Sequence, residues 1–575
     1  MSFQLRSLRV CALVAIHSAA STVLAQEPVP AEQPPVPAPS ADSPPGAQTE
    51  PAGPASTVSP TSTVEVAPTP ARDPLTISTE PSRPKSPERP FAGWHQGVFF
   101  LRDSTDNFRL YLQGRLNVDG YAPFGPGLSQ LGPGSGLQPT FFLRRARMEI
   151  SGEILKMFQF KLEGEWGQSA ADNANGQAAS VACTIDAMGV RTCSNRAAAI
   201  GTATQRPATQ DAFINYRAAD ELNVQVGQFK IPFSYENRSS ENFSPFMESA
   251  LSTRALAAPL VRDIGAMLWG EISKGMLFYS GGVFNGDGPN RPNGDRRFDL
   301  IGRAFVKPLS GGTGPFKGLH IGASGRWGRR DAGLVGYDLS NMTTQGGFAF
   351  WRPTYTDSGG QLTHIMPSGA QRAVAGELFL PLSIFDLTSE VVFNSSETRE
   401  APDGFQLQGH ERRGRLKGLG YYVQLGAWLY GDRAIVGRRG YGTPAQLKLD
   451  KVDPDPPPHA VEVLVRFEQL RASYDGSIRQ GADDAKTPTG DIKVNAGGVG
   501  INYWFTKHIR LSANGLVYGF PDSAPTSASA MGGPVQTSRQ RAIAPAQSLA
   551  KGVDNSARDS GSVLYEAMVR FGLAL

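Results

Sequence analysis

The chain has 575 residues, a formal net charge of only +4, three cysteines and 65 glycines. So weak a positive balance, with no nucleic-acid motif beside it, excludes a nucleic-acid binder, and three cysteines exclude a disulfide framework. No continuous apolar stretch reaches the roughly 18 residues that a helical span needs, so helices are not expected to carry this chain through a membrane.

Arg6 and Arg9 precede an apolar run at 10–16, and small residues lead to Val23-Leu24-Ala25. That is the layout of a secretory signal peptide over 1–25, with cleavage expected after Ala25 and export from a bacterial-type cytoplasm. Cys11 falls inside the removed peptide. Residues 26–90 are dominated by Pro, Ala, Ser, Thr and Glu. Such a composition buries too little apolar surface to offset its ordering entropy, so a disordered periplasmic segment is expected. It reads as a spacer, or as a contact to the cell wall or a partner protein.

From 91 to 575 the texture changes to alternation. The segment 141–166 is the clearest case: Phe158, Phe160, Leu162, Gly164 and Trp166 share one parity, while Gln159, Lys161, Glu163 and Glu165 share the other. Side chains alternate across a strand, so one face is apolar and the other charged. The preceding half repeats the scheme, with Phe142, Ala146, Met148 and Ile150 against Arg145, Arg147, Glu149 and Ser151, and Arg144 out of step. A turn at Gly152-Glu153-Ile154 is expected to join the two halves. Either the charged face meets bulk water and the apolar face a protein core, or the apolar face meets lipid and the charged face lines a wet lumen.

The repeats decide for the lumen. A lead-in at 97–102 precedes an alternating strand at 108–118. Further strands are expected at 211–217, 222–230, 264–271, 276–285, 299–307, 319–328, 372–380, 384–394, 419–430, 460–474, 492–505, 509–520 and 563–575. With the opening hairpin that makes about 16, within the range of bacterial single-chain barrels. Long links (121–140, 168–209, 231–263, 286–297, 329–370, 396–418, 475–491, 521–562) nearly alternate with short turns near 153, 219, 273, 308–317, 381 and 506. Long loops at one rim and short turns at the other are expected of an outer-membrane barrel. The link 431–458 breaks the rule, being long on the short-turn side. The last strand is apolar on one parity from Tyr565 through Phe571 to the terminal Leu575. The expected fold is all-β: a transmembrane antiparallel β-barrel with infolded loops.

By parity, Arg109, Arg115, Arg145, Arg147, Lys161, Arg303, Arg326, Arg466, Arg510 and Arg570 face the lumen. Arginine forks suit oxyanions through bidentate, charge-assisted hydrogen bonds, and a series of them lets an anion hop between sites. Asp119, Glu149, Glu163, Glu165, Glu377, Glu390, Glu462 and Glu468 also face inward. Two readings therefore stand: opposite charges paired along a wet wall, or an uncompensated basic track. The link 231–263 is the best candidate for an infolded constriction, offering Arg238, Arg254 and Arg262 against Glu236, Glu241 and Glu248. Arg329 and Arg330 begin the fifth long loop, and the odd link carries Arg433, Arg438 and Arg439 as either a plug or a solvated basic turn. Cys183 and Cys193 have the spacing of a loop disulfide.

Oxygen-rich residues at 285–295 suggest a calcium loop, but turn chemistry explains them better. No metal-ligand spacing, nucleophile elbow or phosphate loop is present, so neither a cofactor nor an enzyme is expected.

FLRRARMEI, DAFINYRAADELNVQVGQFKIPFSYEN (211–237), SPFMES (244–249) and GGVFNGDG (281–288) resemble, in order and spacing, the phosphate-selective porin O and P family. The resemblance runs from about residue 91 to the end, clearest before Gly288. It implies a homotrimer of 16-stranded barrels in the bacterial outer membrane, with infolded loops and basic residues that pass small anions such as phosphate or polyphosphate. The Pro-rich segment and the terminal Leu575 depart from it. Alternatives from other classes are a general non-selective porin and a structural or adhesive barrel tied to the cell wall through 26–90.

Overall fold

The computed structural model describes residues 91–575 except 96–97, 126–138, 168–180, 186–190, 196–207, 258–260, 331–338, 340–341, 348, 352–354, 357–361, 402–412, 437–440, 442–457, 480–488, 521–561 and 575. The signal and Pro-rich segments, with Arg438 and Arg439, lie outside the described residues.

Sixteen strands close into one antiparallel barrel. They are β1 (Phe108–Phe124), β2 (Thr140–Ile154), β3 (Phe158–Glu165), β4 (Ala208–Arg217), β5 (Asn223–Lys230), β6 (Arg262–Ile272), β7 (Leu277–Phe284) and β8 (Asp299–Val306). The second half comprises β9 (His320–Arg330), β10 (Leu362–Leu382), β11 (Phe385–Ala401), β12 (Arg413–Tyr430), β13 (Ala460–Arg479), β14 (Thr489–Trp504), β15 (Ile509–Phe520) and β16 (Ser562–Ala574). Each pairs with its neighbour in sequence, and β16 closes on β1 from Tyr565 opposite Phe124 to Ala574 opposite Arg115. Closure removes the unpaired edges that hydrocarbon does not tolerate. Two short strands, Ala92–His95 and Val98–Arg102, add to β1 where β16 ends, with Phe99 opposite Leu112.

Exposure runs inside out. Val465, Phe467 and Val499 are 59%, 47% and 60% exposed, whereas Glu462, Arg466 and Glu468, between or beside them, are 0–1% exposed. Apolar side chains that point outward from every strand need lipid around them, and a charged residue placed there costs about 2–4 kcal/mol near mid-membrane. Of the two readings of alternation, this selects the lumen-lining one.

Two local expectations are corrected. The first hairpin does not turn at Gly152. That glycine pairs with Leu110 on one side and Phe160 on the other, and a Cβ on it would meet the Phe160 ring at 2.7 Å. The turn follows at Leu155 and Lys156, whose φ of 53° and 60° fit the mirror-image turns that suit right-twisted hairpins. The other correction concerns parity before Arg145. Asn117 pairs with Arg145 but Val118 with Leu143, so Arg144 is the extra residue of a β-bulge. Phe142 consequently lies buried inside, and Phe141 and Leu143 face out.

Strand β10 also begins ten residues earlier than the alternation at 372–380 suggests. A separate small hairpin of Val181–Ile185 and Arg191–Asn195 sets Cys183 opposite Cys193.

Candidate functional site: an arginine-lined constriction

The link between β5 and β6 turns inward and crosses the lumen. Its apolar residues Ile231, Phe233, Phe246, Met247, Leu251 and Leu256 are all at most 2% exposed. The inner wall makes room for them: a Cβ on Gly418 would collide with Leu256, and one on Gly420 would meet Ser252 at 2.8 Å. Backbone groups of the loop then bond to widely separated strands. Ser234 N donates to Ser324 Oγ on β9 (3.1 Å), Met247 N to Asn514 Oδ1 on β15 (2.9 Å) and Leu251 N to Glu468 Oε2 on β13 (2.5 Å). In return, Arg510 donates to Ser244 O (2.7 Å), Asn502 to Pro245 O (2.8 Å) and Arg570 to Met247 O (2.7 Å). The Arg466 guanidinium lies 4.1 Å from the Phe246 ring centroid, a cation–π contact beneath the loop.

Two acids of this loop gather the arginines. Glu241 takes Arg115 at 3.0 Å, Arg145 at 2.8 Å and Arg147 at 3.1 Å. Glu248 takes Arg144 at 2.9 Å and Arg570 at 2.8 Å, with Arg145 at 3.6 Å and Arg254 at 3.7 Å. Burial alone pushes the Glu241 carboxyl up, but Arg145, Arg147, Lys230 and Arg115 outweigh it and hold the group well below the usual range. Glu248 is likewise held low against burial by Arg144, Arg145 and Arg570. Glu236 goes the other way, because burial outweighs its Arg466 partner.

The link between β9 and β10 also enters the lumen, which its composition did not suggest. Met342 and Phe350 are buried, Thr344 Oγ1 and Gly346 N bond to Glu566 (2.5 and 2.9 Å), and Gln345 N donates to Tyr518 Oη (3.0 Å). Arg254 Nη2 donates to Thr343 Oγ1 at 2.6 Å, so this arginine ties the two infolded segments together. Of the odd link after β12, Tyr441 packs against inward-facing side chains of β7 and β8. Tyr441 is buried with its ring 5.0 Å from Phe305 and 5.8 Å from Phe278, and Lys307 Nζ sits 4.5 Å from its centroid. Arg433 pairs with Asp386 at 2.9 Å.

Between the two infolded loops and the wall lies a cavity of about 460 Å³. Among the described residues, Arg144, Arg145, Arg147, Arg262, Arg291, Arg326 and Arg330 line it, against one acid, Glu241. The compensating carboxylates stand behind the arginines: Glu165 and Glu163 for Arg147, Asp211 for Arg262 (2.7 Å), and Asp299 for Arg326 (2.6 Å) and Arg330 (2.9 Å). The charges are therefore paired but unevenly placed: these carboxylates of Arg147, Arg262, Arg326 and Arg330 are strand residues outside the lining, and those of Arg144 and Arg145 belong to the loop.

Of the residues singled out by sequence, Arg145, Arg147, Arg262 and Arg326 meet at this cavity, and Arg115 adjoins it through Glu241. Lys161 is held by Glu149, Glu163 and Asp211 at 2.8–3.2 Å. Arg303 is buried away from the cavity against Glu377 (2.7 Å), which also contacts His320. Arg466, paired with Glu468 and Glu236, and Arg254 serve as loop anchors.

Two lining arginines, Arg144 and Arg291, escaped the sequence reading as lumen residues, and a third, Arg330, was placed in a loop. Arg144 reaches the lumen through its bulge. Arg330 continues the parity of Arg326 and belongs to β9 rather than to the following loop. Arg291 sits in the 285–295 segment, where Asn293 Oδ1 accepts from Asp295 N (3.0 Å) and Asp295 Oδ1 from Arg297 N (2.7 Å), the bonds of Asx turns.

A closed barrel with an apolar exterior and a polar lumen narrowed by its own loops is a porin, a channel of the bacterial outer membrane. Barrels of this type are typical of non-enzymatic channels. Residues 137–516 match the family described as phosphate-selective porin O and P, and the chain belongs to that family. No curated protein matches the sequence. Similar solved structures include the loop L8 deletion form of OmpT from Vibrio cholerae, at 8% identity and a TM-score of 0.42, covering 82% of this chain and 100% of that one. The anion-selective porin from Comamonas acidovorans is 12% identical at a TM-score of 0.39, over 81% of this chain and 100% of its own. The outer-membrane channel DcaP of Acinetobacter baumannii is 9% identical at 0.39, over 82% and 99%.

Proposed function

We propose that the channel passes small anions by diffusion, phosphate or polyphosphate among them, and that the arginine-lined cavity sets the preference. The observation that carries this reading is that, among the described residues, seven arginines face one space with a single acid among them. Permeation is decided where the lumen is narrow and fields are focused. Guanidinium forks there can bind an oxyanion bidentately while their paired carboxylates weaken each site enough for release. The same carboxylates support a second reading, a general porin without selectivity, since Arg144, Arg145, Arg147, Arg262, Arg326 and Arg330 each have a carboxylate beside them.

The chain is further taken to leave the cytoplasm by its signal at 1–25, to reach toward the cell wall through 26–90, and to assemble as a homotrimer, as the family resemblance implies. Single-channel current of the purified protein in a planar bilayer, carried by chloride and titrated with phosphate, separates the readings. Concentration-dependent block by phosphate supports anion binding in the constriction. Current unaffected by phosphate identifies a general porin, and absence of current supports a structural barrel.

A further inference from the structure

A second basic cluster lies on the opposite surface of the wall. On the outside of β11–β14, near the loop rim, Phe393, Leu419, Lys417, Arg471 and Lys493 line a groove of about 450 Å³. All five of these side chains are exposed. Toward the other rim the outward residues become apolar, with Leu425 and Val423 on β12, Val463, Val465 and Phe467 on β13, and Ile501 and Val499 on β14; Gln469 and Asn495, hydrogen-bonded at 2.7 Å, stand between these and the cations of β13 and β14. On β13 and β14 the change to polar residues takes one or two same-face steps of roughly 7 Å. The groove therefore sits where hydrocarbon gives way to headgroups, and long loops mark this rim as the extracellular one.

Its three charges are all of one sign and face outward. Arg471 stands directly opposite Lys493 in the β13–β14 register, and Leu419, opposite Arg471 on the other side, is one same-face step from Lys417. Like charges directly opposite each other destabilise a sheet. None of the three makes an ion pair to a described residue; Arg471 donates from Nε to Gln469 Oε1 at 3.0 Å. One step further toward the loops, Arg415 does have its acid, Glu397, at 2.9 Å.

We propose that this groove binds a phosphate-bearing lipid headgroup of the outer leaflet, with Lys417, Arg471 and Lys493 around the phosphate and Phe393 and Leu419 against the chains. The shape of the site argues for lipid: its cations crown an apolar floor, Phe393 and Leu419, that adjoins the membrane-facing belt. Each basic residue near an anionic lipid surface contributes about 1 kcal/mol, so losing three weakens binding roughly 100-fold.

The test is native mass spectrometry of the full chain in detergent, titrated with dioleoyl phosphatidic acid, dioleoylglycerol or inorganic phosphate. Wild type is expected to retain phosphatidic acid selectively. The triple variant Lys417→Gln, Arg471→Gln, Lys493→Gln should lose it by roughly 100-fold while single-channel conductance, set inside the barrel, stays unchanged and shows the fold intact. Equal retention by the variant, equal retention of dioleoylglycerol, or displacement by millimolar inorganic phosphate would overturn the proposal. So would a variant whose lipid loss coincides with dissociation of the oligomer, because the groove would then be a subunit contact.

Discussion

Replacing Glu248 by Gln tests how the constriction is held. The carboxylate accepts from Arg144 Nε and Nη2 at 2.9 and 3.0 Å and from Arg570 Nη2 at 2.8 Å, with Arg254 at 3.7 Å. After the substitution Arg570 keeps Asp119, at 2.7 and 2.6 Å, and Arg145 keeps Glu241. Among the described residues Arg144 and Arg254 keep no carboxylate. Removing one partner of a buried pair costs about 3–5 kcal/mol; because Gln retains one acceptor oxygen, the lower end, about 3 kcal/mol, is expected. That loss falls on the loop, since the barrel wall does not depend on Glu248. Hydrogen exchange in detergent should therefore show the amides of Met247, Leu251 and Arg254 losing about 100-fold in protection while strand amides hold. Protection within threefold of wild type at these amides would refute the account, and so would an equal loss in loop and strands.

Three further outcomes are expected. Arg145→Glu with Arg147→Glu reverses two cavity charges and should shift permeability toward cations by more than about tenfold, with Arg145→Gln and Arg147→Gln moving it less in the same direction; an unchanged preference removes these residues from the conduction path. Glu241 and Glu248 are held below the usual carboxylate value, so their stabilisation is complete above about pH 4.3 and is lost only as pH falls through the depressed values. Loop protection should thus be flat from about pH 8 to 5 and decline in stronger acid, whereas release between pH 7 and 5 would contradict the pairing. Finally, we propose that Cys183 and Cys193, opposite each other in register, form a disulfide: both thiols should alkylate only after reduction, and labelling without reductant would exclude it.

The strands were legible because lipid and lumen impose opposite chemistry on alternate residues, a signal carried by each strand alone. What stayed hidden depends on partners far away in sequence. The bulge at Arg144 disturbs the pattern by one residue, and only pairing with β1 shows that it brings Arg144 and Arg145 to the lumen side together. The infolding of 342–347 rests on Glu566, Glu468 and Tyr518, each more than 100 residues distant, and the segment itself has no periodicity to announce it. Charge compensation is likewise a matter of register. Parity put Arg570 and Asp119 on the same face, but only closure of β16 on β1 makes them neighbours. Gly152 misled because glycine marks turns more often than it marks a place where a strand must clear an aromatic ring.

We propose that the arginine-lined cavity makes the pore prefer anions. The most direct test is the zero-current potential of the wild-type protein in a planar bilayer under a tenfold potassium chloride gradient. The potential is predicted to take the sign of chloride permeability exceeding potassium permeability. A potential near zero, or of the opposite sign, would contradict it.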